Sequence, residues 1–249
     1  MTTLLRDTAA DRRTTLSVDV APGRALVRSS VTGDPGRPSL RAMLLDSGSG
    51  HARVALVPDG ALLLAGDAIR LDVEVGPGAT LELVEPAGTV AFDMRGEEAT
   101  WDVRIDLAED ATLVWAGEPF VVAAGARVRR STSVRVSAGS RLALRESLVL
   151  GRHGERGGVL EQAWSAYGPG GVPLVVERLL LDESAHRPGI LGGQRALGSV
   201  VALGIPVADD VCVAGRLDLE HGGTVWRWLA HEAHRAVPLE AWRAVLDAL

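Results

Sequence analysis

Ile69-Arg70-Leu71-Asp72-Val73-Glu74-Val75-Gly76-Pro77-Gly78-Ala79-Thr80-Leu81-Glu82-Leu83 decides the fold. Ile69, Leu71, Val73 and Val75 alternate with Arg70, Asp72 and Glu74, the two-residue period of a half-buried strand. Gly76-Pro77-Gly78 breaks it, because proline fixes one backbone angle and glycine admits positive φ. Leu81 and Leu83 then flank Glu82 in a second strand. The unit is strand, tight turn, strand. It recurs as Trp101, Val103, Ile105 and Leu107 before Ala108-Glu109-Asp110, followed by Leu113 and Trp115. A third copy has Val134 and Val136 before Ser137-Ala138-Gly139-Ser140, and a weaker one is Val18-Asp19-Val20-Ala21-Pro22-Gly23. The clear copies are spaced by about thirty residues, a period at which repeats imply stacked units sharing one core. Hairpins of an ordinary sandwich would read the same way.

The second half is less regular. Leu160 to Tyr167 and Val172 to Leu181 read as strands joined by Gly168-Pro169-Gly170-Gly171, and the second, apolar on both faces, is expected to be central. Ser184 to Gly198 reads as loop, while Val200 to Ile205 and Asp210 to Leu219 read as strands. Pro238, followed by Leu239, Trp242, Val245, Leu246 and Leu249, predicts an amphipathic helix. The expectation is one all-β domain over 1–249, mainly antiparallel, built as stacked solenoid-like sheets or as a sandwich, with a short C-terminal α-helix.

Composition narrows the function. The chain has 249 residues, enough for a substantial core. All 26 basic residues are arginine, and 32 acidic residues bring the net charge to -6, which gives no general attraction to nucleic acid or anionic lipid. No apolar run reaches the roughly 20 residues of a membrane-spanning helix, and the polar segment Met1 to Arg13 does not resemble a signal peptide. Cys212 is the single cysteine, so one chain can form neither a disulfide nor a thiolate cage. A cytoplasmic protein is expected.

Motifs of catalysis are missing. His231-Glu232-Ala233-His234 lacks the i, i+4 histidine spacing of zinc proteases. There is neither a Gly-x-Ser-x-Gly elbow nor a phosphate loop, and Leu191-Gly192-Gly193-Gln194 has no lysine. Strand parity singles out Glu146, which shares a face with Leu142, Leu144, Leu148 and Leu150. Burial disfavours an ionised carboxylate, so the group must be paired, hydrogen-bonded, protonated or metal-bound. Val128, Arg130, Thr132, Val134 and Val136 share a face on the preceding strand. A hairpin about Ala138-Gly139 would set Thr132 opposite Glu146 with Arg130 one step diagonal, predicting an internal Arg130–Glu146 ion pair. The alternative is that Glu146 lines a wet internal passage. Glu177 lies between Val175 and Leu179, and Asp67 follows Gly66 where it can bind backbone amides of its turn.

The segment from Leu62-Leu63-Leu64-Ala65-Gly66-Asp67 through Val75-Gly76-Pro77-Gly78-Ala79 resembles the signature of the urease accessory protein UreD family, also called UreH. Gly125-Ala126-Arg127, Val134 to Gly139, Arg145-Glu146-Ser147-Leu148-Val149-Leu150-Gly151-Arg152-His153-Gly154-Glu155 and Gly192-Gly193-Gln194-Arg195-Ala196-Leu197-Gly198-Ser199 follow in the order of that family. One departure is at Thr89, followed here by Val90, Ala91 and Phe92 where many relatives have a Thr-Lys-Val-Tyr-like stretch.

The resemblance implies a non-catalytic nickel metallochaperone that binds the urease apoprotein and the accessory proteins UreF and UreG, the latter a GTPase. It further implies an internal water-filled route for nickel, for which Asp67, Glu146 and Glu177 become candidate lining residues, with nickel passing transiently and no tightly bound cofactor. Carboxylate and water ligands suit an ion that must leave as well as arrive. Two other readings stand beside it: a purely structural protein-binding adaptor whose inward acids are ion pairs, and a β-helical or cupin-like enzyme acting on a carbohydrate or small acid.

Overall fold

The computed structural model describes residues 12–21 and 23–249. Its strands are β1 (Arg12–Ala21), β2 (Arg24–Thr32), β3 (Ser39–Ser47), β4 (His51–Asp59), β5 (Ala68–Val75), β6 (Thr80–Val84), β7 (Thr89–Ala91) and β8 (Ala99–Leu107). They continue as β9 (Thr112–Val122), β10 (Arg127–Val136), β11 (Arg141–Leu150), β12 (Val159–Tyr167), β13 (Pro173–Leu181), β14 (Ala196–Leu203), β15 (Arg216–Asp218) and β16 (Thr224–Ala230). Two short helices, α1 (Ala233–Ala236) and α2 (Leu239–Asp247), close the chain.

Two sheets face one another. One has seven strands in the order β13-β12-β10-β8-β5-β1-β2; the other has nine, β15-β16-β14-β11-β9-β6-β4-β3, with β7 also paired to β9. From β4 to β12 the chain crosses between the sheets at almost every turn, so β5, β8, β10 and β12 are parallel neighbours in one sheet. Likewise β4, β6, β9 and β11 are parallel neighbours in the other. The sheets are therefore mixed and solenoid-like, not mainly antiparallel. The repeated strand, turn, strand unit is an arch whose arms belong to opposite sheets. β10 and β11 accordingly do not form the expected hairpin. The weak copy does, since β1 and β2 pair antiparallel within one sheet; its Pro22, like Met1 to Asp11, lies outside the described residues.

Successive turns stack. Gly78 N donates to Glu109 O at 3.0 Å, and Asp110 N donates to Ala138 O at 3.0 Å, so each turn satisfies the next one's backbone. Gly139 has φ 68°, and a Cβ there would lie 2.0 Å from Asp110 Oδ1; glycine answers both the conformation and the contact. Coil stacking sets like residues in ladders, for example Leu81, Leu113 and Leu142, all with 0% exposure. Truncating a leucine so enclosed to alanine costs about 2–5 kcal/mol.

β13 is an edge strand with Val176 and Leu180 exposed, not a central one. Its alternating hydrophobic residues divide between the core side, where Leu179 packs, and open surface. Of Asp210 to Leu219 only Arg216–Asp218 forms a strand, and β14 begins within the expected loop, at Ala196. The expected C-terminal helix is α2. It covers the outer face of the nine-stranded sheet, where Ala241, Trp242 and Val245 pack on Ala143, Val200, Ala202 and Trp226. The preceding α1 seats Ala236 near Val149, Ala196 and Ala230. Gly198 permits this approach, since a Cβ there would meet Ala236 O at 1.8 Å. Among the described residues no helix is long and apolar enough to cross a membrane.

Candidate functional site

Most residues of the core ladders are apolar, and the charged ones gather at one level. In the seven-stranded sheet Ile69 and Trp101 are followed in register by Arg130 and Gln162. In the nine-stranded sheet Leu83, Trp115, Leu144 and Val201 form one row. The next inward row contains Glu146, Ser199 and Arg227. Residues directly opposite in a sheet share a face, so these polar levels confront each other and form a seam between the sheets.

At its centre Arg130 Nη2 donates to Glu146 Oε1 at 2.5 Å, with side chains only 10% and 11% exposed. Arg130 Nη1 donates to Gln162 Oε1 at 3.0 Å, and the guanidinium lies 5.3 Å from the centroid of Phe120, within cation–π range. The expected ion pair is present, but it joins strands of opposite sheets. Glu146 also faces a β-bulge: β11 pairs Arg145 with Ala116 and Ser147 with Pro119, leaving Gly117 and Glu118 opposite Glu146. The extra residue lets β9 bend there.

Glu85, just beyond β6, completes the cluster. It accepts from Trp115 Nε1 at 2.8 Å and from Glu118 N at 3.2 Å. Burial pushes its carboxyl above the ordinary glutamate range, opposed by those two hydrogen bonds and the positive charge of Arg130. The sequence reading passed over Glu85, although it continues the parity of Leu81 and Leu83 and so points inward. Glu85, Arg130, Thr132, Glu146 and Ser147 line a cavity of about 20 Å³ open to water centres, room for roughly one water. A smaller cavity adjoins it, sharing Glu85, Thr89, Trp101 and Trp115. Thr89, at the departure from the resembled pattern, is thus a lining residue of both.

Glu177 lies at the other end of the seam. Both its oxygens accept from the Nη atoms of Arg227, bridging β13 and β16. The side chains are 30% and 29% exposed, so this pair sits at the margin. Inside it, Trp164 pairs with Glu177 across the strands and also with Thr132. The structure therefore brings Glu146 and Glu177 onto one polar seam. Asp67 stands apart, in the turn before β5, where it accepts from Leu64 N at 2.7 Å. It lines a surface depression with Arg37 and Asp59. Burial raises its carboxyl above the usual range, opposed by the Leu64 amide and Arg37.

Among the described residues no three His, Cys, Asp or Glu side chains converge as a metal cage. Within the His231 to His234 segment, His234 Nε2 lies 3.3 Å from Glu232 Oε2, and both side chains are exposed. The Cys212 thiol is raised by burial and by the negative charge of Glu240. What the seam offers is carboxylates, guanidinium groups and a space large enough for about one water.

A sequence profile of the family described as UreD urease accessory protein matches residues 13–248. Urease accessory protein UreD 1 of Streptomyces griseus is 50% identical over 153 residues, covering 61% of this chain and 60% of that protein. Urease accessory protein UreD of Frankia alni is 40% identical over 169 residues, covering 60% of this chain and 57% of that protein. Urease accessory protein UreD of Streptomyces coelicolor is 34% identical over 194 residues, covering 74% and 76%. The chain thus spans under two thirds of the length of the first two of these relatives.

Proposed function

The chain belongs to the UreD urease accessory protein family, and on that premise we propose that it is a non-catalytic scaffold of urease maturation that passes nickel along its inter-sheet seam. It binds the urease apoprotein together with UreF and the GTPase UreG, in the cytoplasm, and the ion moves between Glu177 at the margin and Glu146 and Glu85 inside. The observation that carries this reading is the polar level itself: facing rows of the two sheets in which Arg130 and Gln162 oppose Glu146 and Ser199, with Arg130 and Glu146 lining a water-sized cavity. Oxygen donors bind a divalent ion without the grip of thiolates or multiple histidines, which suits cargo. Asp67, buried in its turn beneath the depression it shares with Arg37, joins this proposal only at that depression.

The second reading, a structural adaptor with nickel travelling elsewhere, is favoured by one fact: Glu146 is already held by Arg130. Reconstituted urease activation separates the two. Glu146→Gln keeps a side chain of the same shape, so the activation complex should assemble while the nickel content of urease, measured by mass spectrometry, falls at least severalfold. Normal nickel content with this variant would overturn the path. If the adaptor reading holds, the apolar replacement Arg130→Met with Glu146→Leu should fold and activate urease normally, since buried ion pairs can often be exchanged for apolar residues without loss of stability.

A further inference from the structure

The interior of the seam is not a bare acidic pocket. Glu85 and Glu146 share their cavity with Arg130, whose side chain is nine-tenths buried; Glu118 and Arg145, paired with each other at 3.5 Å, are also lining residues. A divalent ion and a guanidinium cannot occupy adjoining positions in a small enclosed space without strong mutual repulsion, because the low effective dielectric there leaves charges poorly screened. Arg130 is also incompletely fastened. Of the five N–H donors of an arginine, those of Nη1 and Nη2 reach Gln162 and Glu146, while Nε is buried without a hydrogen-bond partner among the described residues.

Resting on the nickel-path reading, we propose that Arg130 is the resident counter-cation of the seam: its guanidinium holds the place at Glu146 that a divalent metal ion takes, and the ion binds there only by displacing it. Glu146 supplies the oxygen donors, with Glu85 across the cavity, and Gln162 keeps hold of the guanidinium as it withdraws. In the resting molecule the interior charge is balanced by the protein itself. The passage is thereby closed to stray cations without any moving lid. Arg130 acts on metal affinity as a positioning residue; it does not ligate the metal.

The test is a nickel-binding titration of the full chain by equilibrium dialysis with nickel chloride alone. Arg130→Gln, checked for folding by circular dichroism, should bind nickel about tenfold or more tightly than the unaltered chain, because a neighbouring unit charge has gone. Adding Glu146→Gln to that variant should erase the gain. Unchanged or weaker binding by folded Arg130→Gln would overturn the proposal, and so would a gain that survives Glu146→Gln. Should Arg130→Gln not fold, Arg130→Lys keeps the charge on a shorter reach and a group that can deprotonate. It should show a smaller gain that grows with pH, and no gain at any pH counts against the counter-cation. The path and the counter-cation fail separately: tight nickel binding by Arg130→Gln alongside normal activation through Glu146→Gln would keep the second and remove the first.

Discussion

Arg129 and Arg130 stand side by side on β10 and each holds a glutamate, but one pair faces water and the other faces the opposite sheet. Arg129 bonds Glu98 with side chains 57% and 44% exposed, whereas Arg130 bonds Glu146 at 10% and 11%. The outer face of the seven-stranded sheet carries further exposed pairs, among them Arg28–Asp19 and Arg135–Asp106. The same chemistry thus performs two tasks, and one step of strand parity decides which. Outside, ion pairs solubilise a sheet face and contribute little, because solvent screens them. Inside, the pair compensates charges that could not otherwise stay in the core.

The largest test of this contrast is Glu146→Ala, which leaves the Arg130 guanidinium buried and unpaired. Its cost should be about 3–5 kcal/mol, read as a lowered midpoint in thermal or urea unfolding; a change below roughly 1 kcal/mol, the scale of surface pairs, would erase the distinction between the faces.

An intermediate test uses pH. Glu85 holds its proton more tightly folded than unfolded, so its neutral form contributes stability that is fully present below the ordinary glutamate value of 4.5 and lost as pH rises through the raised one. Compared with Glu85→Gln, the unaltered chain should therefore melt progressively lower as pH increases across that window. A gap between the two melting curves that stays constant with pH would place Glu85 in water after all. The smallest expected effect is that of Glu98→Ala on the outer face, within about 1 kcal/mol and diminishing with added salt. A loss comparable to that of Glu146→Ala would mean that exposure is not what separates the pairs.

Parity made Glu146 legible in the sequence because alternation is a local property of a strand. The stacked repeat was legible for the same reason, through its turns at Gly76-Pro77-Gly78, Ala108-Glu109-Asp110 and Ser137-Ala138-Gly139. The sheet to which each arm belongs was not legible. An arch and a hairpin have the same strand, turn, strand pattern, and only neighbouring coils distinguish them, as the Gly78 to Glu109 bond does. Hence the Arg130–Glu146 pair was expected from hairpin geometry and is formed across the core instead. Glu177 could not be assigned its partner, because Arg227 lies 50 positions away in the chain. Glu85 was within reach: its parity follows Leu81 and Leu83, but it falls one residue past β6, where the eye stops counting alternation.

The stacked turns also govern which changes of length the molecule can absorb. Each coil meets chiefly the coils before and after it, as repeat architectures do, so adding or deleting a whole coil changes how far the stack extends and leaves other coils with neighbours of the same kind. A single residue inserted within β10 is a different event. Every side chain beyond it would exchange inside for outside, delivering arginine to the core and valine to water. Gain or loss of a whole coil should therefore be tolerated, and single-residue insertions or deletions should be confined to the turns.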